Sequence, residues 1–596
     1  MVRKSTVLLI VLSLLVTGLG VVGLSSSHAM DEPLVVPIGE KDDTWGMGPL
    51  SPGKRGGSVT LASISLPKTF NHAVAQETSS TDVTDLIMGA GLTDTSPATG
   101  KTVPAIARDW EISEDRKTYT FHIRKGVKFN DGKSLTAEDV IFTFKKIIFN
   151  EKVSADARSI LKVEGKLPSI KKVDEYTVQF TTPTVFGPFV RQIGYTPIYP
   201  KHAFEDFSGE EFNSAWGKQV ASNNPEKIIG AGPFKIKKFA PAQQVVLERN
   251  PYYYKRDPEG TQLPYIDELI FLKVENTDVQ MLKFKNHELD VHGARAEDIP
   301  FLLRNEEDEG WNVKINQKPE TGAPAGTDFI AFNWDVDNKE LAEVFRKKDF
   351  RRAMSHAVNR EDIINNIYNG LAIRQVSPIS QLSPYYNPEA EEKYPGKFDL
   401  EKARKMLDEL GLKDTDDDGV RELPNGKDLE FELITNKGAT RRVDVGNIVA
   451  SDFEKIGVKA TLNPISFNPM VQKLLGGKYE AVIVGLIGDP IEPNSGKNVW
   501  DSDGSLHLWH LKASDNPVEW EKRVTELFNK GLKHVGYENR KKFYDEFQTI
   551  VSEQVPVIYT AGEVYLYAHE EKLVNTETYS PLGSTLGHAE YIWWNK

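Results

Sequence analysis

The sequence predicts an α/β protein built from two lobes. Short strand patterns dominate its first part, and a run of small residues at 322–326 (GAPAG) then marks a change of composition. Beyond this run, helical patterns with intervening strands prevail until the strand pattern at residues 556–560 (PVIYT). Alternating apolar positions indicate strands, whereas an apolar period near 3.6 indicates helices. We therefore expect the chain to leave the first lobe near residue 326 and to return to it near residue 560.

The first thirty residues have the three parts of a secretory signal. A basic start precedes the uncharged apolar stretch of residues 7–24, and Ser27 and Ala29 place small residues where a signal peptidase cleaves. We expect a signal peptide over residues 1–29, export to the periplasm or the extracellular space, and an extended lead-in over residues 30–56. An uncleaved anchor is the alternative, because the apolar stretch approaches the length of a membrane span.

Composition excludes several classes of function. The chain has no Cys, so it has no disulfide, no thiolate metal site, no cysteine nucleophile and no lipid-anchored signal. Its formal net charge of −13 disfavours nucleic acids and anionic membranes as partners. It also lacks the Gly-x-Ser-x-Gly and His-Glu-x-x-His motifs. We expect no enzymatic activity, and a secreted hydrolase with paired carboxylates is a remote alternative.

The clearest local unit spans residues 117–147. Residues 117–123 alternate as a strand, and Thr136 and Asp139 have the spacing of a helix-capping box. In the later part, helices are predicted at residues 350–366, 400–410, 441–456 and 518–535, with strands at 329–333 and 479–486.

Five segments in order resemble the family 5 extracellular solute-binding proteins, the peptide/nickel-type subunits of ABC importers. The order and spacing hold from about residue 56 to the end of the chain. The segments are residues 135–144 (LTAEDVIFTF), 229–234 (IGAGPF) with 248–253 (ERNPYY), 350–362 (FRRAMSHAVNRED), 398–407 (FDLEKARKML) and 555–558 (VPVI).

The resemblance implies a periplasmic-binding-protein-like type II fold with an extra subdomain in the first lobe. It assigns lobe 1 to residues 57–325, with the subdomain at about 90–225, lobe 2 to 326–560, and a return to lobe 1 over 561–596. The lobes would close over a ligand in the cleft by hinge motion. The implied protein is a monomer without a cofactor that captures an oligopeptide and delivers it to a membrane permease. The same role for an oligosaccharide, such as a β-linked disaccharide, is the alternative.

The resemblance places ligand contacts in the loop at residues 485–496. In peptide-binding members an Asp of the corresponding loop pairs with the ligand's α-amine, and Asp489 is the residue here that would do so. The aromatic residue that the family usually has before this Asp is replaced by Ile487 and Gly488. The alignment therefore also admits Glu492 as the amine-binding acid.

Aromatic residues are the second candidate set for ligand contacts. Trp500, Trp509 and Trp334 lie in predicted loops or at strand ends, and Asn333 directly precedes Trp334. Indole faces can stack on sugar rings or cover peptide side chains. The alternative is that these residues are buried in the core. A weakened amine-binding signature beside several Trp residues favours the oligosaccharide alternative.

An acidic turn resembles the first half of a calcium-binding loop. Asp414, Asp416 and Asp418 alternate before a Gly, and Glu422 could replace the closing Glu, because Asn425 occupies that position. A solvated acidic turn is the alternative to a Ca²⁺ site. The pairs His507/His510 and His287/His292 lack a carboxylate at zinc-motif spacing, so we interpret them as ordinary polar residues.

Overall fold

The computed structural model describes residues 32–36, 50–96, 101–316, 327–381, 383–486, 489, 491–576 and 589–596. The predicted signal peptide, most of the lead-in, the small-residue run at 322–326, and Ile487 and Gly488 lie outside these residues. None of the described helices is both long enough and apolar enough to span a membrane.

The first lobe is built around a seven-stranded mixed sheet. A parallel pair at its centre, Ser58–Ser63 and Glu268–Lys273, brings the beginning of the lobe beside a strand 210 residues later. The strands follow in the order Trp311–Asn316, Tyr565–Glu570, Val291–Gly293, Ser58–Ser63, Glu268–Lys273, Gln244–Arg249 and Phe234–Ala240. The larger helices around it are Thr78–Met88, Thr277–Lys285 and Ile299–Glu309.

A separate four-stranded antiparallel sheet lies within the predicted subdomain. Its order is Ala107–Ile112, Thr118–Ile123, Thr177–Thr181 and Ser169–Asp174. Beside it, the predicted capping box is confirmed: the Thr136 hydroxyl accepts from Glu138 N at 3.3 Å, and Asp139 accepts from Thr136 N at 2.9 Å. Short helices complete this part: Ala137–Phe142, Ala157–Leu161, Phe189–Gly194, Lys201–Phe204, Gly209–Ser214 and Lys218–Asn223.

The second lobe is built around a six-stranded sheet. Its order is Ala372–Arg374, Val557–Glu563, Thr327–Phe332, Ala481–Leu486, Glu430–Asn436 and Lys459–Ile465. The predicted strand at 479–486 therefore begins two residues later. The chain returns to the first sheet at Val564, between the strands Val557–Glu563 and Tyr565–Glu570. The fold class is α/β, as predicted, whereas the exact limits of the lobes stay a prediction.

Helices pack against the strands of the six-stranded sheet. The helix predicted over 350–366 is interrupted at Val358, whose backbone is extended, and Asn359 caps the next turn. A helix at Tyr537–Gln554 was missing from the sequence interpretation. The helices of this lobe are Lys339–Arg346, Lys348–Ala357, Arg360–Asp362, Pro388–Lys393, Leu400–Glu409, Thr440–Glu454, Phe467–Leu475, Lys497–Trp500, Glu519–Leu532 and Tyr537–Gln554.

Candidate functional site

A cavity of about 250 Å³ opens in the second lobe beside its contact with the first. Its wall combines polar groups with a larger apolar surface, which is typical of small-molecule sites. The polar lining residues are Thr327, Gln375, Ser380, Ser383, Asp489, Ser495 and Asn498. The aromatic and larger aliphatic lining residues are Phe329, Ile379, Leu486, Val499, Trp500, Leu506, Leu508, Trp509, Phe547, Val557 and Tyr559.

Two of the predicted Trp residues form one wall of this cavity. The ring centroids of Trp500 and Trp509 lie 5.3 Å apart, and Trp500 also packs against Phe547 at 5.2 Å. Trp500 comes from the short helix Lys497–Trp500, which follows directly on the turn of helix at Pro493–Gly496. Both indoles are held by packing, so a ligand would meet a rigid aromatic wall at little entropic cost.

Asn333 and Trp334, which were also predicted as ligand contacts, do not line this cavity. The Asn333 side-chain amide donates to Gly477 O at 3.0 Å and to Tyr479 O at 2.8 Å, and the residue is fully buried. Trp334 is also buried, with the guanidinium of Arg351 4.4 Å from its ring centroid. Both residues follow a central strand, so the chain passes from the sheet directly into the core.

Asp489 lies at the cavity wall, but its carboxylate reaches the other lobe. Its Oδ2 accepts from Arg191 Nε at 2.8 Å and from the Tyr195 hydroxyl at 2.7 Å. Its Oδ1 accepts from the backbone N–H groups of Ile491 and Glu492 at 2.9 and 3.2 Å. A carboxylate offers about four lone-pair positions, so these four bonds leave none for a ligand amine.

The contact with Asp489 raises the pKa values of Arg191 and Tyr195. Burial lowers the pKa of Arg191, but the carboxylate of Asp489 outweighs that effect and raises it above its ordinary value. Desolvation of the Tyr195 hydroxyl group and the same carboxylate raise the pKa of this group, although 39% of the residue's surface is exposed. Both side chains therefore keep their protons at neutral pH and remain donors to Asp489.

Glu492, predicted as the alternative ligand acid, is paired with an arginine inside the second lobe. Its two carboxylate oxygens accept from Arg540 Nη2 at 2.5 Å and Nη1 at 2.6 Å, and the pair is buried inside the second lobe. Its Oε1 also caps the following turn by accepting from Asn494 N at 2.9 Å. Arg540 lies on the helix Tyr537–Gln554, so the partner of Glu492 becomes visible only in the folded protein.

Further hydrogen bonds join the segment 489–505 to the first lobe. Gln192 Nε2 donates to Ser495 Oγ at 3.1 Å, and Lys497 Nζ donates to Lys162 O at 2.7 Å. Ser505 Oγ donates to Asp156 Oδ1 at 2.7 Å. The segment that supplies Asp489 and Trp500 is therefore also the segment that contacts the other lobe.

A buried carboxylate supports the Trp wall from behind. Glu521 Oε1 lies 3.0 Å from His507 Nε2 and 3.1 Å from His510 Nδ1, and it accepts from Trp509 Nε1 at 3.3 Å. Burial raises the pKa of Glu521, yet the hydrogen bonds to the two His residues outweigh it and lower the pKa to about 2. Glu521 follows His510 by 11 residues and lies on the helix Glu519–Leu532, so no motif in the sequence joins it to the His pair.

The acidic turn brings three of its four predicted residues together. Carboxylate oxygens of Asp414, Asp416 and Glu422 lie within 4.8 Å of one another. The carboxylate of Asp418 is not in this group and accepts from Val420 N at 2.7 Å. Glu422 Oε2 accepts from Thr415 N at 2.9 Å, whereas Oε1 is buried without a hydrogen bond to any described residue.

Comparisons with known proteins agree on one family. The model of the bacterial extracellular solute-binding proteins, family 5, middle, matches residues 101–506. A probable ABC transporter-binding protein of Deinococcus radiodurans is 27% identical, covering 92% of this chain and 93% of the relative. The oligopeptide-binding protein AppA of Bacillus subtilis is also 27% identical, covering 82% of this chain and 79% of the relative.

Solved structures share the fold. AppA of Bacillus subtilis with a nonapeptide superposes with a TM-score of 0.77 at 22% identity, covering 91% of this chain and 100% of that one. The periplasmic binding protein MelB of Agrobacterium fabrum with stachyose gives a TM-score of 0.78 at 20% identity, covering 92% of this chain and 86% of that one. These likenesses confirm the predicted bilobed type II fold.

Proposed function

The chain belongs to the family 5 bacterial extracellular solute-binding proteins, and on this premise we propose that it captures a short peptide for an ABC importer. It is a binding protein and not an enzyme. Peptide would enter the cavity beside the lobe contact, and closure of the lobes would present the loaded form to a membrane permease. The observation that carries this proposal is the cavity of about 250 Å³ with its mixed polar and aromatic wall. Part of this wall comes from the segment that contacts the other lobe.

The wall suits a peptide chemically. Gln375, Ser380 and Asn498 offer groups that exchange hydrogen bonds with backbone amides, and Trp500 with Phe547 offers an apolar surface for a side chain. The names of relatives such as the oligopeptide-binding protein AppA support peptide as the ligand class.

An oligosaccharide is the second candidate, and the bonding of Asp489 favours it. Since all four acceptor positions of this carboxylate are filled, a free α-amine has no vacant anchor there. A sugar needs no such anchor, and its ring faces stack well on indoles. The relative from Agrobacterium fabrum, solved with stachyose, supports this alternative.

Thermal unfolding of the purified protein with candidate ligands separates the two classes. A ligand that binds only the folded state adds RT ln(1 + [L]/Kd) to the free energy of unfolding, about 2.7 kcal/mol at 100 times Kd. Di- to pentapeptides are expected to raise Tm, and β-linked disaccharides are expected to leave it unchanged. The reverse result would overturn the peptide proposal in favour of the saccharide.

A matched pair of peptides tests the role of Asp489. If its carboxylate stays with Arg191, an N-acetylated peptide should bind within about threefold of the free peptide, because no ion pair to the amine is lost. A loss of affinity of about tenfold or more on acetylation would show that the amine displaces Arg191 from Asp489.

Export completes the proposed role. Cleavage after Ala29 would release a monomer outside the cytoplasm, where the permease meets it. Mass spectrometry of the secreted protein tests this, since a mature chain that begins at Met30 is expected, and an intact N-terminus would support the membrane anchor instead.

We also propose that the acidic turn binds Ca²⁺ through Asp414, Asp416 and Glu422. What supports the proposal is the buried Glu422 Oε1, which accepts no hydrogen bond from any described residue, on a carboxylate that lies within 4.8 Å of Asp414 and Asp416. Calcium prefers carboxylate oxygens, and a bidentate Glu commonly closes such loops. The site lies outside the ligand cavity, so its role would be to stabilise the second lobe.

A further inference from the structure

A second cavity, of about 200 Å³, lies in the same lobe, and the charged residues of its lining are mainly cationic. Val557 and Tyr559 line both cavities, so the strand Val557–Glu563 lies between them. We call it the basic cavity. Its charged lining residues, apart from one His, are Arg352, Arg360, Lys393, Lys397, Lys402 and Asp399. Such a concentration of positive charge is unexpected in a chain with a net charge of −13.

Arg360 forms the buried part of this cavity. Its guanidinium donates to Tyr559 O at 2.8 Å, to Gly396 O at 2.9 Å, and to Ser355 O and Oγ at 3.0 and 3.1 Å. All four acceptors are neutral, and one of the five N–H groups of the side chain remains. Within the described ranges, no carboxylate lies within 4.0 Å of Arg360, and Glu391, which acts on it from farther away, is paired with Arg374. Burial lowers its pKa to about 9, so it is still charged at neutral pH.

Two further cations converge on one ring at the edge of the cavity. The guanidinium of Arg352 lies 5.4 Å from the ring centroid of Tyr394, and Lys393 Nζ lies 5.3 Å from it. Neither cation has a carboxylate of the described part of the chain within 4.0 Å, and the Glu553 carboxylate, which interacts with Lys393 from farther away, is paired with Lys348. The ring attracts both cations, but the two charges repel each other, and an anion in the cavity would relieve that repulsion.

One acid, Asp399, offsets only part of the positive charge of the five Arg and Lys residues in the lining. The Asp399 carboxylate accepts from Lys402 N at 2.9 Å, which caps the helix Leu400–Glu409. It is exposed to solvent and is engaged at the helix terminus. The lining therefore keeps an excess of positive charge.

The hydroxyl group of Ser552 is a second, independent indication that a hydrogen-bond partner belongs in the cavity. Ser552 lines the basic cavity and is only 5% exposed, yet its Oγ makes no hydrogen bond with any described residue. Buried hydroxyl groups are nearly always hydrogen-bonded. An acceptor in the cavity would satisfy this donor together with the remaining N–H of Arg360.

From this arrangement we infer that the basic cavity binds a phosphate-sized oxyanion, either free phosphate or the phosphoryl group of a small ester. Arg360 and Ser552 hold it from the buried side, and Arg352, Lys393 and Lys402 hold it from the rim. The planar donors of Arg suit the oxygens of such an anion. The site is independent of the proposed peptide or saccharide ligand.

The test is thermal unfolding of the purified protein in calcium-free buffer at constant ionic strength, with phosphate replacing chloride. A saturable rise of Tm with inorganic phosphate is expected. Glycerol 3-phosphate forms a second arm, and a larger rise with it would identify the ester as the preferred form. No rise with either compound beyond the chloride control would overturn the inference.

Variants locate the site. Ser552→Ala and Arg352→Gln should each lower the affinity for phosphate about tenfold, because each removes a charge-assisted hydrogen bond to the anion. Without phosphate, Ser552→Ala should unfold at an unchanged or higher temperature, since its hydroxyl has no partner to lose. Lys405→Gln, on the same helix as Lys402 but outside the lining, is the control and should bind as the wild type does. Equal phosphate affinity in all variants would contradict the assignment.

Discussion

The Nε atom of Arg191 lies 2.8 Å from Oδ2 of Asp489, and this ion pair joins the two lobes. Arg191 comes from the helix Phe189–Gly194, and Asp489 follows the strand Ala481–Leu486 at the cavity wall. Their side chains are only 9% and 4% exposed, so salt screens the pair weakly. The carboxylate assigned by resemblance to a ligand amine thus holds the lobes together in this structure.

Replacing Asp489 should therefore loosen the lobe contact. Asp489→Asn leaves the charge of Arg191 buried without its partner, which typically costs about 3–5 kcal/mol. The expected results are a lower midpoint in urea unfolding and a larger radius of gyration in small-angle scattering. Tyr195→Phe, which removes a neutral donor to the same oxygen, should cost only about 1 kcal/mol. An Asp489→Asn protein as compact and stable as the wild type would show that the ion pair of Arg191 and Asp489 does not hold the lobes together.

Trp500 and Trp334 should separate binding from stability. Trp500→Ala removes part of the cavity wall, so the affinity for the ligand should fall at least about tenfold in titration calorimetry. Trp334→Ala is the matched control, because it removes a core indole that does not line the cavity. It should lower the free energy of unfolding by about 3–5 kcal/mol and leave affinity unchanged. Equal losses of affinity in both variants would place Trp334 in the site after all.

Glu521 should make the second lobe sensitive to acid. Its pKa is about 2 in the folded protein, below the ordinary value of 4.5, so the unfolded state binds more protons between these values. The contribution, about 3 kcal/mol, is fully present above pH 4.5 and is lost as the pH falls toward 2. Other groups that face Glu521 are His507, His510 and Arg351.

The check is the pH dependence of Tm. Glu521→Gln should unfold at a lower temperature at neutral pH and lose less stability on acidification than the wild type does. Glu519→Gln, at an exposed position on the same helix, is the control and should follow the wild-type curve. Identical curves for Glu521→Gln and the wild type would show that the network does not stabilise the fold.

Calcium should stabilise the protein through Glu422. Adding Ca²⁺ after treatment with a chelator should raise Tm, and Glu422→Gln should abolish most of that rise because it removes the closing carboxylate. Asp418→Asn is the matched control, since this side chain keeps its hydrogen bond to Val420 N and lies outside the cluster. A rise that survives in Glu422→Gln would contradict the site.

Local features were the most predictable part of the structure. The capping box at Thr136 and the helix Leu400–Glu409 depend on neighbouring residues, so their patterns are complete in the sequence. The helix Tyr537–Gln554 was missed although Tyr544, Phe547 and Val551 mark its buried face at helical spacing. This spacing is visible in the sequence. The interruption at Val358 is not, because it goes with a hydrogen bond from Asn359 N to Asp452 Oδ2 on another helix.

The candidate site was only partly predictable. Trp500, Trp509 and Asp489 line the cavity, as do Gln375 and Ser380, which carry no motif and went unnoticed. The pairing of Arg191 with Asp489 spans 298 positions along the chain, so no local pattern indicates it.

The sequence by itself determined the α/β class, the family and the segment around Asp489 as the place to look, because these depend on periodicity and on ordered motifs. The tertiary structure decided the role of each acid in that segment. The sequence does not show which hydrogen-bond donors will contact a given carboxylate. Its function depends on the donors that the folded chain places beside it. Arg191 reaches Asp489, Arg540 reaches Glu492, and Glu521 is held by two His residues behind the Trp wall.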